Sequence, residues 1–155
     1  MNANLLQEKL SEWHPEGGRQ SWSHADDGWV LHLAADRNDL LATQAWEMTL
    51  TRTGDPLKRT VRQWADSIAA SASGLLEDLK VIEVDAERDT AQLRSDEPSR
   101  KGPLAAYYEV VLHGGAKQAV VRRYQADVKA GTGRVQTAFA LTHESLAKLS
   151  EDITS

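Results

Sequence analysis

The sequence predicts an α+β fold built on a mostly antiparallel β-sheet of about six or more strands flanked by helices, and three observations carry that prediction. Residues 104–142 hold three β-rich runs in succession, joined by short turns. Val120, Arg122, Tyr124, Ala126 and Val128 alternate onto one pleat face, and Val135, Thr137, Phe139 and Leu141 repeat the pattern after the Gly131-Thr132-Gly133 turn. Strand-like runs also follow one another with few helical interruptions, which disfavours parallel βαβ winding.

Taken in order, residues 3–13 form an amphipathic helix with Leu6, Leu10 and Trp13 at i, i+4 and i+7, ended by Pro15 and Gly17-Gly18. A hairpin follows, with strands at Ser21–His24 and Trp29–Ala34 and a turn at Ala25-Asp26-Asp27-Gly28. Asp36-Arg37-Asn38-Asp39 makes the next turn. Ala42–Arg52 alternates as a half-buried strand, with Trp46, Met48 and Leu50 on its inner face. Asp55-Pro56 has the chemistry of a helix start, and the stripe Leu57, Val61, Trp64, Ala65, Ile68 and Ala72 predicts the principal helix, to about Ser73. On these patterns Trp46 and Trp64 both belong to the core. Lys80–Asp85 and Thr90–Arg94 read as short strands and 95–103 as a polar loop. Leu104–His113 opens the final meander, with Gly114-Gly115 as its hairpin turn. Thr142 then caps a helix bearing Leu146, Leu149 and Ile153.

The 155 residues suffice for one domain, 1–155, with a sizeable core. The absence of cysteine removes disulfides, thiolate metal sites and cysteine nucleophiles. The N-terminal residues lack the pattern of a signal peptide, no apolar run is long enough to span a bilayer, and a cytoplasmic location is expected. A net charge of −5 argues against nucleic acid as the partner, because such binding rests on neutralising phosphates. The charge is unevenly spread. Residues 77–97 hold eight acids against Lys80, Arg88 and Arg94, whereas 117–134 hold five bases against Asp127.

The stretch from Leu57 to Ile153 resembles the PsbP/Mog family, including its DcrB-like bacterial members. The resemblance rests on the helix ending in Gly74-Leu75-Leu76, on Val81-Ile82-Glu83-Val84 and on Ala106-Tyr107-Tyr108-Glu109-Val110-Val111. It continues through the run 122–128, the Gly-x-Gly turn, the run 134–142 and the closing helix. It implies an antiparallel sheet flanked by helices that serves as a docking scaffold, and it transfers no binding residue. The N-terminal helix followed by Asp27-Gly28-Trp29-Val30-Leu31-His32-Leu33 is also similar to small acidic type III secretion chaperones.

Motifs of catalysis and metal binding are incomplete. Asp36, Asn38 and Glu47 fall at EF-hand positions, but Leu40 and Leu41 stand where a ligand and a glycine are needed. His143-Glu144 begins like a zincin helix, yet Ala147 occupies the position of the second histidine. His24, Asp26 and Asp27 fit turn chemistry. No Gly-x-Ser-x-Gly elbow occurs, and Gly131-Thr132-Gly133 lies between strands rather than before a helix. No catalytic residue, metal or cofactor is therefore expected.

Four residues exceed what the fold alone needs. Trp22 and Trp29 flank the first hairpin and would form an aromatic patch if the first helix leaves them open. Arg123 and Arg134 belong to the basic run, Arg123 being expected to point outward, away from Val120 and Val128. Arg122, sharing a face with Tyr124, is expected either to stack on it or to pair with a carboxylate such as Glu109. The function these residues imply is that of a non-enzymatic scaffold binding another protein. A secretion-chaperone-like role and a small-ligand carrier are the alternatives, and homodimerisation stays open.

Overall fold

Ten antiparallel strands and three helices make up the chain, in a computed structural model that describes residues 1–155. Helix α1 (Ala3–Glu12) starts where the Asn2 side chain accepts a hydrogen bond from the Leu5 amide. Strands β1 (Gln20–Asp26) and β2 (Trp29–Asn38) pair through a two-residue turn, Asp27-Gly28, in which both residues have positive φ as a primed hairpin turn requires. Strand β3 (Ala42–Arg52) has the bounds its alternation predicts.

Helix α2 spans Val61–Ser71, five residues later than Asp55-Pro56 suggests. Thr60 and Gln63 form a reciprocal capping box that satisfies two free backbone donors, a stronger start than a lone aspartate before proline. Strands β4 (Leu79–Asp85), β5 (Thr90–Ser95) and β7 (Leu104–His113) follow expectation, and the short β6 (Ser99–Lys101) lies in the stretch read as a loop. After β8 (Gln118–Asp127), the run through Leu141 is not one strand. It breaks at Ala138 into β9 (Arg134–Thr137), paired with β8, and β10 (Phe139–Thr142), paired with β3. Thr142 caps α3 (His143–Thr154).

The main sheet order is β1-β2-β3-β8-β7-β5-β4. All three helices pack on one face. Leu31 and Leu33 of β2, Met48 and Leu50 of β3, Val121 of β8, Val110 and Leu112 of β7 and Leu93 of β5 meet Leu6 and Leu10 of α1, Trp64 and Ile68 of α2 and Leu146 and Leu149 of α3 in one continuous cluster. The sheet's other face carries no helix, an arrangement open to antiparallel sheets because they can hold one apolar and one solvated face.

Asn38 ties the helical layer together. Its Nδ2 donates to the carbonyls of Leu10 and Trp13, each at 2.8 Å, while its Oδ1 receives the Thr43 hydroxyl at 2.6 Å and lies 2.8 Å from Nε2 of His143. His143 is buried, and burial holds its pKa below the usual histidine value against a weaker upward pull from Asp39. The unfolded chain takes up this proton at higher pH than the folded one, so the stabilisation is complete above the unfolded pKa and is lost as pH falls through the folded value. Thermal melts between pH 7.5 and 5 should therefore show stability falling toward acid, with a smaller fall in a His143→Gln variant. An unchanged slope in that variant would contradict this role.

Candidate functional site

The helix-free face is where chemistry beyond folding collects. Its side chains alternate with those of the core: Thr49 and Glu47 on β3, Val120, Arg122 and Tyr124 on β8, Tyr107, Glu109 and Val111 on β7, and Gln92 and Arg94 on β5. Glu109 sits at its centre, directly opposite Arg122 on one side and Arg94 on the other. Although no helix lies over it, Glu109 is only 4% exposed. Its cover is made of side chains: Gln92 Nε2 donates to Oε2 at 2.6 Å, Arg94 Nε lies 3.4 Å from the same oxygen, and Arg134 reaches over from β9 to hold both oxygens. Arg134 also donates to the Tyr107 hydroxyl at 3.3 Å and lies over the Tyr124 ring, 3.8 Å from its centroid. These partners, the Glu109 bond first, raise the Arg134 pKa beyond its already high value, so its charge is permanent.

Arg122 pairs with a carboxylate as expected, that of Glu47 through Nε at 2.6 Å rather than that of Glu109. Beside them Arg19 stacks on Trp46, 3.7 Å from the ring centroid, and is held from behind by Asp36 at 2.8 Å. Trp46 is thus on the outer face, contrary to its expected place in the core. The cause is a β-bulge. The register between β2 and β3 shifts on both sides of Ala35, leaving Trp46 of β3 and Asp36 of β2 unpaired, and the inward set of β3 changes from Thr43 and Ala45 to Met48 and Leu50.

Of the four residues singled out from sequence, the structure brings only Arg134 to this face. Trp29 is 1% exposed, its ring 6.0 Å from that of Trp64 in the core, so the expected open patch loses this member. Trp22 points to the helical side at the β1 edge, half-buried between Trp13 and His24, with ring centroids 5.8 and 5.9 Å away.

Arg123 does not reach solvent as expected. It lies on the inner side, beneath the connection from α2 to β4, where its Nη2 donates to Glu77 at 2.9 Å and its guanidinium covers the Tyr108 ring at 4.3 Å. Burial works to raise the Glu77 pKa, but hydrogen bonds led by that from Arg123 outweigh it and hold the carboxyl below its usual value. Val120, Val121 and Ala119 are all buried, so this apolar run gives no parity from which to tell the face of Arg123. Val135 and Phe139 keep the shared pleat side, opposite Gln125 and Ala45, but Val135 is 66% exposed whereas Phe139 is buried.

Comparison of this chain with protein-family models, curated proteins and solved structures finds no match. No helix is long and apolar enough to cross a membrane.

Proposed function

We propose that the protein is a non-enzymatic scaffold that binds another protein through the helix-free face of its sheet, with the PsbP/Mog-like sandwich as its structural kind. The observation that carries this reading is the pair of arginine–aromatic stacks on that face, Arg19 on Trp46 and Arg134 on Tyr124. A merely solvated face needs only short or mobile polar side chains, whereas protein interfaces are enriched in Trp, Tyr and Arg, and binding energy concentrates on them. Here the guanidinium groups are held in place by Asp36 and Glu109 before any partner arrives, which reduces the ordering cost of association.

The test is capture, from extracts of the cells that make it, by immobilised wild type, by a Trp46→Ala/Tyr124→Ala variant and by a control altered on the exposed side of α2, Arg62→Ala/Asp66→Ala. The expected result is a partner retained by wild type and control and reduced at least tenfold on the first variant, with both variants melting as folded proteins. Equal retention on all three would refute the face.

A further inference from the structure

Resting on that reading of the face, we infer that the segment seated there is acidic, and that the outward edges of Arg94 and Arg134 grip one of its carboxylates. Two guanidinium groups converge on the single carboxylate of Glu109, so the cluster carries a surplus positive charge. Glu109 is buried while Arg94 and Arg134 remain 39% and 37% exposed, so the charge that reaches solvent is the surplus one. Arg94 uses Nε on Glu109 and Arg134 uses its Nη atoms, out of five N–H donors on each guanidinium. Both Nη groups of Arg94 and Nε of Arg134 are not engaged by Glu109.

Donors of this kind, fixed in direction, suit a carboxylate, for which charge-assisted forked pairing is the strongest recognition. Tyr107 and Tyr124, whose rings lie 6.1 Å apart, wall the same spot and exclude water from one side of the contact. Of the other charges on the face, Arg122 is matched by Glu47, Arg19 by Asp36 and Lys80 by Asp96, and Glu83, opposite Gln92, is an unpaired acid, so the attraction is confined to Arg94 and Arg134. A long polyanion would also meet the repulsion of a chain whose net charge is −5. An acidic protein segment therefore fits better than nucleic acid.

The experiment uses isotope-labelled full-length protein titrated with a (Glu-Ser)5 peptide, with (Gln-Ser)5 and with a ten-nucleotide oligo-dT, followed by amide shifts. The acidic peptide should perturb residues around Arg94, Tyr107, Glu109, Tyr124 and Arg134, and bind at least tenfold more tightly than the other two probes. A Glu109→Gln variant, which frees both guanidiniums from their internal counter-ion, should bind the acidic peptide several-fold more tightly. A purely structural role of the cluster does not predict that gain. A triple variant, Arg94→Gln/Glu109→Gln/Arg134→Gln, removes both the grip and the charge it would otherwise strand, and should lose at least tenfold while remaining folded.

Acidic-peptide binding that is absent, unchanged in the triple variant, or weaker than that of oligo-dT would overturn the inference. A captured protein that needs Trp46 and Tyr124 but ignores Arg94 and Arg134 would overturn the acidic segment alone and leave the docking face standing. A protein that ignores all four would remove both.

Discussion

Trp64→Ala is expected to cost about 3–5 kcal/mol of folding stability, as truncation of a fully buried aromatic does. Trp64 has no exposed surface, and its ring meets Trp29 beneath β2. Its Nε1 donates to the Ile153 carbonyl at 2.9 Å, so one side chain fills the space between sheet and α2 and also satisfies a backbone acceptor of α3. Truncation leaves a cavity that neighbouring side chains cannot close and strands that carbonyl. Trp64→Phe, which keeps most of the volume and loses the hydrogen bond, should cost less, about 1–3 kcal/mol. Urea unfolding reads both, with the midpoint moving and the slope unchanged. A Trp64→Ala protein with the wild-type midpoint would remove α2 from its place as the core helix.

Arg123→Met should cost about 3–5 kcal/mol, because it strands Glu77 as an uncompensated buried charge. The two side chains are only 14% and 9% exposed, and one Arg123 nitrogen and one Glu77 oxygen are buried without a partner. The pair is thus an incompletely satisfied buried ion pair, so its desolvation offsets much of its attraction. Replacing both members, Glu77→Leu/Arg123→Met, should then recover most of the loss. Since the folded Glu77 pKa is depressed, its contribution is complete above the unfolded carboxyl pKa and is lost as pH falls through the folded value. The Arg123→Met penalty should accordingly shrink in acid. A double variant as unstable as the single one would show that packing of the Arg123 stem on Tyr108, rather than charge, dominates.

What could be read from sequence was local. The bounds of β3 and β7 and the Thr142 cap are each set by residues within a few positions of one another and stand as expected, and the first hairpin lies where expected with its turn tightened from Ala25-Asp26-Asp27-Gly28 to Asp27-Gly28 because Ala25 and Asp26 join the strand. What could not be read depends on partners distant in sequence. Trp46 turns outward because β2 and β3 pair with a bulge, which alternation along β3 alone cannot show. Arg123 turns inward after an apolar run that hides its parity, and the break at Ala138 arises because the chain leaves β8 for β3. The candidate site suffered most. It is assembled by the register that sets Glu109 between Arg94 and Arg122 and Tyr107 opposite Tyr124, so only Arg134, as part of a conspicuous basic run, was visible beforehand. Arg122 does pair with a carboxylate as expected, but it is Glu47, while the stack on Tyr124 and the pair with Glu109 belong to Arg134.

Side-chain oxidative footprinting of the protein with and without its captured partner tests the docking face most directly, because the aromatic residues divide between the two candidate regions. Protection of Trp46, Tyr107 and Tyr124, with Trp13 and Trp22 labelled as in the free protein, is the predicted result. Protection of Trp13 and Trp22, with the three outer-face aromatics unchanged, would contradict the account and place the partner at the β1 edge.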